Sequence, residues 1–139
     1  HQDGALQAGI SHLAESLNSQ LAVFNTPKHK GALGREYSFV KVNTPQVAIR
    51  SLKKAEESDL YIIRLYEMQG KSAQNVEITF PAPIESGYEA NGIEEKIGEA
   101  TIQDNKLCFD MASYQPRTFA IRLKKGKVKA DPIKNIPLQ

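Results

Sequence analysis

Apolar and polar positions along the chain change their period once. Between Ala5 and Leu21, the apolar residues Leu6, Ile10, Leu13, Leu17 and Leu21 recur at spacings of four, three, four and four. That spacing places them in one stripe on an α-helix. Gln7, Ser11, Glu15, Ser16 and Ser19 fall on the opposite side. A short amphipathic helix has to dock. Its own sheet is the simpler expectation, and a neighbouring domain is the alternative. From Phe24 to Arg35 the periodicity is lost. Asn25-Thr26-Pro27 signals a turn, and Gly31 and Gly34 bracket more loop. Lys28, His29 and Lys30 form a small basic cluster, read as a solvated loop tip.

After Glu36 the period is two. Tyr37 to Val42 and Val47 to Lys53 read as strands on either side of Asn43-Thr44-Pro45. Leu60 to Glu67 follows, with Tyr61, Ile63 and Leu65 on one face. Asn75 to Phe80 sets Val76, Ile78 and Phe80 against Asn75, Glu77 and Thr79. Pro81 and Pro83 stop that ladder, because proline has no N–H to donate. A short strand is expected over Tyr88 to Asn91, then a hairpin from Ala100–Gln103 to Lys106–Met111 across Asp104-Asn105. Leu107, Phe109 and Met111 face one way in that hairpin. The last strand is Thr118 to Leu123, with Phe119, Ile121 and Leu123 inward. These about eight short strands, separated by turn signals, predict a mainly β fold: an antiparallel β-sandwich with a short N-terminal amphipathic helix. Helices between strands are missing, which excludes a βαβ arrangement. The expected organisation is a helical and loop lead-in over 1–34, the sandwich over 35–124, and a basic tail or linker over 125–139.

The chain's 139 residues make one domain, and 40% apolar content suffices for a core. A (β/α)8 barrel, which takes about 250 residues, is excluded. Lys plus Arg number 18 against 16 Asp plus Glu, a net charge of +2. That balance gives no footprint for nucleic acid. Near the end, Arg122, Lys124, Lys125, Lys127, Lys129 and Lys134 stand against Asp131 alone. With Pro132 and Pro137 present and no interleaved aromatics, this basic stretch reads as a linker rather than a nucleic-acid or membrane anchor. No apolar run is long enough for a membrane span. Gln2-Asp3-Gly4 opens a polar stretch, so no secretory leader is expected.

Candidate chemistry is sparse. Cys108 is the single cysteine, and its place between Leu107 and Phe109 suits a packed strand residue better than a nucleophile. His1, His12 and His29 do not pair at metal-ligand spacing, so no metal site is expected from this chain alone. There is no phosphate loop and no Gly-x-Ser-x-Gly elbow. Glu85, Glu89, Glu94, Glu95 and Glu99 make an acidic run, read as solvated between strands rather than as a glycosidase pair. With five Tyr, five Phe and no Trp, a sugar platform would have to use Tyr61, Tyr66, Tyr88 or Tyr114, whose strand positions favour core roles. No catalytic, cofactor-binding or metal residue is assigned.

Four stretches, in order, carry a resemblance. Leu52-Lys53-Lys54-Ala55-Glu56 leads into Ile63-Arg64-Leu65-Tyr66-Glu67, with Gly70 beyond. Asn91-Gly92-Ile93-Glu94-Glu95 follows the proline-marked loop. Ser113-Tyr114-Gln115-Pro116-Arg117-Thr118-Phe119-Ala120 enters the last strand. Together, over residues 35–124, they resemble the C-terminal β-sandwich region of glycoside hydrolase family 38, the α-mannosidases. The resemblance implies a parent enzyme that is a zinc-dependent retaining α-mannosidase acting on mannose-containing glycans. Its aspartate nucleophile and zinc ligands lie on an N-terminal barrel domain, and no position here matches those motifs. The chain is then expected to be a C-terminal fragment.

Within the motifs, Arg64 and Glu67 have opposite parity on a strand and point to opposite faces, so they are not expected to pair. Lys53, Lys54, Glu56 and Glu57 precede a turn at Ser58-Asp59 and read as solvated. Three readings follow. The preferred one is a non-catalytic domain that packs against and supports the catalytic domain. It expects an exposed apolar patch, with Leu6, Ile10, Leu13 and Leu17 as the candidate. An autonomous carbohydrate-binding module expects exposed tyrosines flanking a groove. An Ig-like structural domain would lack the Cys–Trp–Cys hallmark here.

Overall fold

The structure, a computed structural model, describes residues 9–19, 21–28, 30 and 37–125. Among these described residues, one helix, α1 (Ile10–Asn18), is followed by nine strands: β1 (Lys41–Val42), β2 (Val47–Lys54), β3 (Tyr61–Glu67), β4 (Ala73–Thr79), β5 (Ile84–Ala90), β6 (Lys96–Glu99), β7 (Thr101–Gln103), β8 (Lys106–Met111) and β9 (Pro116–Leu123). They form two antiparallel sheets, ordered β1-β4-β8-β7 and β2-β3-β9-β5-β6. This is the expected sandwich. His1, Leu6, His29, Gly31, Gly34 and the basic tail beyond Lys125 lie outside the described residues.

Period-two patterning builds the core. Ala73, Val76, Ile78, Leu107 and Met111 from the four-stranded sheet meet Val47, Ile63, Leu65, Ile84, Phe119 and Ile121 from the other. At ~1.5–3 kcal/mol for each large side chain removed from water, this layer drives the fold. The β7–β8 turn is the tight hairpin expected. Gln103 pairs with Lys106, and Asp104 and Asn105 both take positive φ (49° and 62°), the type I′ geometry that matches strand twist.

Three strand expectations need correction. The strand read over Tyr37–Val42 is paired only at Lys41 and Val42, opposite Thr79 and Ile78. One step earlier the partner strand has ended, and Pro81 has no N–H to offer. Asn43 continues the ladder instead: its N–H donates to Glu77 O (3.1 Å), its Oδ1 accepts from Glu77 N (3.0 Å), and its Nδ2 donates to Asn75 O (2.9 Å). The strand read over Tyr88–Asn91 begins at Ile84, and Pro83 still accepts from Lys124 N (2.9 Å). Lys96–Glu99, read as acidic loop, is an edge strand, since its charges suit an edge. Asn91 sets it up: its Oδ1 accepts from Ile93 N (3.1 Å) and Glu95 N (2.9 Å).

The five-stranded sheet is also buried on its outer face at the centre. Ile62 and Ala120 pair across β3 and β9 and are fully enclosed. Their cross-strand neighbours Lys53 and Tyr88 have long side chains whose apolar parts can lie along that face.

Candidate functional site

The N-terminal helix leaves two residues of its apolar stripe, Leu13 and Leu17, in water rather than docked on the sheets. Gly9 O accepts from Leu13 N (3.1 Å) at its start, and Asn18 Nδ2 donates to Ala14 O (2.9 Å) at its end. Leu13 of its stripe is 62% exposed and Leu17 88%, while Ile10 is half-buried. Leu21, Val23 and Phe24 continue the exposed apolar run. Helical periodicity announces a face that must be buried, but it does not say against what. Apolar surface left together in this way marks a site of interaction.

The tyrosines do not share a groove. Tyr61 borders a concavity of about 930 Å³ at the end of the sandwich where the β2–β3 turn, the β4–β5 connection and the end of β9 meet. Phe39 stands beside it, ring centroids 5.7 Å apart. Tyr66 lies on the same strand but at its far end, about 17 Å along at ~3.4 Å per residue. Arg50 sits 5.9 Å from its ring, and Lys96 sits 6.0 Å from the ring of Tyr88. Tyr114 is exposed on a separate turn.

In the concavity beside Tyr61 one carboxylate is clamped between two lysines. Asp59 lies between Lys54 (2.9 Å) and Lys125 (3.0 Å). Hydrogen bonds from Lys54 and then Lys125 hold its carboxyl down at about 2. It stays ionised at neutral pH and is not a proton donor there. Asp59 also raises the pKa of Lys54.

The motif residues are structural clamps, which sequence reasoning did not foresee in detail. Arg64 and Glu67 do lie on opposite faces and do not pair. Glu67 is fully buried. Its Oε1 accepts from Gln69 N (2.7 Å) and its Oε2 from Gly70 N (2.9 Å) and Tyr114 N (2.8 Å). Burial pushes its pKa up. The N–H groups of Tyr114, Gln69 and Gly70 and the Gln46 amide outweigh that, and the net shift is downward. The carboxylate thereby joins the β3–β4 turn to the β8–β9 turn. Gly70 has φ 70° and faces the Tyr114 ring, 2.6 Å from where a Cβ would sit. The available signal was a Glu at a strand end just before a glycine turn.

Arg117 joins the two sheets. Its Nε and Nη2 donate to Glu89 Oε1 and Oε2 (2.7 and 2.6 Å), and its Nη1 donates to Asp110 O (2.6 Å). Its guanidinium carbon also lies 5.2 Å and 4.9 Å from the Phe109 and Phe119 ring centroids. Glu94 binds Lys53 (2.8 Å) and Arg64 (3.0 Å), and its pKa is lowered, by Lys53 first. Glu95 accepts from Asn91 Nδ2 (2.9 Å), and Glu99 pairs with Lys96. Glu89, Glu94, Glu95 and Glu99 of the acidic run thus have separate partners. Cys108 is half-buried on β8, its thiol 3.7 Å from Lys106 O.

Among the described residues, no group of three or more His, Cys, Asp and Glu side chains could hold a metal ion. No helix among them is long and apolar enough to cross a membrane. Residues 46–129 match the model of the family described as "Glycosyl hydrolases family 38 C-terminal beta sandwich domain". The chain is 27% identical over 99 residues to alpha-mannosidase G of Dictyostelium discoideum, a match covering 68% of this chain and 9% of that protein. The matched part is therefore a small portion of that relative's length.

Proposed function

Because the chain belongs to the glycosyl hydrolase family 38 C-terminal β-sandwich domain family, we propose that it is a non-catalytic domain of a zinc-dependent retaining α-mannosidase, packed against the catalytic domain of the same longer protein. The observation that carries this reading is the exposed stripe of Leu13 and Leu17, continued by Leu21, Val23 and Phe24. A partner surface would remove that apolar area from water, at ~25 cal/mol per Å². The parent's action on mannose-containing glycans is supported by the likeness to an α-mannosidase. The described residues do not fit a zinc site, so zinc and the nucleophile are assigned to the catalytic domain. In this domain, Glu67 and Arg117 keep the sandwich rigid, and the helix provides the contact.

The test is turnover. The purified chain is incubated with an aryl α-mannoside, with and without zinc. No hydrolysis is expected, and zinc-dependent release of the aryl group would overturn the reading. A second reading, an autonomous carbohydrate-binding module, is favoured by Tyr61 and Phe39 beside the large concavity. Amide NMR shifts around Tyr61 on adding α-linked mannobiose would support it. Their absence at millimolar sugar would leave the supporting role alone.

A further inference from the structure

The concavity beside Tyr61 carries more positive charge than the fold pairs off. Lys54, Arg122, Lys124 and Lys125 line it together with Asp59 and Glu85, four cations against two carboxylates, a formal charge of +2. Asp59 is taken up by Lys54 and Lys125. Among the described residues, the side chains of Arg122 and Lys124 have no ion pair, hydrogen bond or ring contact, and neither has Glu85. Two free cations therefore stand against one free carboxylate. Arg122 is half-buried and Lys124 exposed, so solvent reaches both. Lys124 N donates to Pro83 O (2.9 Å), which carries the strand alternation one step past β9. Arg122 and Lys124 thus project to one side, about 7 Å apart along the chain.

The rest of the lining is apolar or aromatic: Phe39, Tyr61, Pro81, Ala82 and Leu123. Phe39 is 37% exposed, its ring centroid 5.7 Å from that of Tyr61. Open aromatic surface beside unpaired cations fits a ligand that carries an apolar side chain next to carboxylates. Inorganic phosphate would leave the aromatic wall in water. A neutral sugar would leave both cations without a counter-charge. Nucleic acid needs a longer basic stripe than two free cations supply. The sequence that follows carries Lys127, Lys129 and Lys134 against Asp131 alone, so its own charge has the wrong sign to neutralise the site.

We infer that this concavity is a docking surface for an acidic protein segment, with an apolar side chain of that segment on Phe39 and Tyr61 and its carboxylates on Arg122 and Lys124. Opposite charge speeds the encounter and fixes the register, while the apolar contact removes surface from water. No described residue of the N-terminal helix lines the concavity, so the inference stands whether or not the helix docks a catalytic domain. It gives the concavity a protein ligand in place of a sugar, and the experiment separates the two.

The test is an amide NMR titration of the isotope-labelled chain with an end-blocked peptide of four glutamates around a central phenylalanine. Saturable shifts of the Tyr61, Leu123 and Lys124 amides are expected, with dissociation in the millimolar range and weaker binding as salt rises. Replacing the glutamates by glutamine, or the phenylalanine by alanine, should each weaken binding by at least about threefold. Arg122→Gln and Lys124→Gln should each weaken it by about two- to fivefold. Lys124 is exposed, so its variant keeps the test open should Arg122→Gln disturb the sheet. The inference is overturned by no saturable shift up to about 10 mM peptide, by a glutamine peptide that binds as well as the glutamate one, or by a Lys124→Gln chain of unchanged affinity. Equal binding of inorganic phosphate would make this a simple anion site and also overturns it, as does equal or tighter binding of α-linked mannobiose at the same amides.

Discussion

Replacing Glu67 by glutamine changes one atom and should remove much of the domain's stability. The carboxylate accepts three backbone N–H bonds at 2.7–2.9 Å in a site with no solvent exposure. Glutamine has one carbonyl oxygen. Set in the position of Oε2, it still accepts from Gly70 and Tyr114. Its amide nitrogen then faces the Gln69 N–H, donor against donor. One charge-assisted bond is lost and two become neutral. With charge-assisted bonds worth ~1.5–3 kcal/mol and neutral ones ~1 kcal/mol, the loss is about 2.5–7 kcal/mol. At ~4 °C or more per kcal/mol for a sandwich of this size, Tm should fall by at least roughly 10 °C. Chemical and thermal denaturation read it directly. The pH dependence adds a second check. Glu67 has a lowered folded pKa relative to its ordinary 4.5, so its contribution is present above 4.5 and is lost as pH falls through the folded value. The stability gap between wild type and Glu67→Gln should therefore be largest at neutral pH and narrow below 4.5. A Glu67→Gln protein within about 0.5 kcal/mol of wild type would refute the reasoning. So would a gap that stays constant down to pH 3.

The other predictions follow the same geometry. Gly70→Ala should cost about 1–2 kcal/mol from its left-handed backbone and displace the Tyr114 ring, whereas Gly92→Ala, with open space around it, should stay within about 0.5 kcal/mol of wild type; denaturant midpoints compare the two. Arg117→Lys loses the bidentate bond to Glu89 and should cost about 1–3 kcal/mol, and a double-mutant cycle with Glu89→Gln should show positive coupling. Carbon-detected NMR should find Asp59 titrating near about 2 in the intact chain and higher in Lys54→Ala; an unchanged midpoint would show that Lys54 does not hold it. Leu17→Glu should leave the isolated chain's stability unchanged within about 0.5 kcal/mol, because the side chain is already in water.

What was legible in the sequence was whatever depends on local period and turn chemistry. Val76 and Ile78, then Phe119 and Ile121, alternate inward as the pattern requires. The Asp104-Asn105 hairpin follows from residues that tolerate positive φ. The opposite parity of Arg64 and Glu67 was also readable. What depends on partners distant in sequence was not. Lys96–Glu99 is a strand only because the Asn91 turn lays it beside β5. Tyr37 and Phe39 alternate like a strand but find no partner backbone. Ile62 and Ala120 are buried on a face that alternation assigns to solvent. The three N–H groups on Glu67 come from two turns, one of them nearly fifty positions away, and no spacing rule brings them together. The helix stripe was legible as a stripe, while its exposure became visible only once the sheets had closed without it.

The central claim is that this sandwich supports a catalytic domain through its N-terminal helix. Hydrogen exchange of the segment over residues 9–24 tests it most directly, compared between the isolated chain and the full-length parent protein. The account predicts fast exchange in the isolated chain, where Leu13 and Leu17 are in water, and strong protection of the same amides in the parent. Equally fast exchange in both would mean the stripe is not covered there, and would contradict the claim.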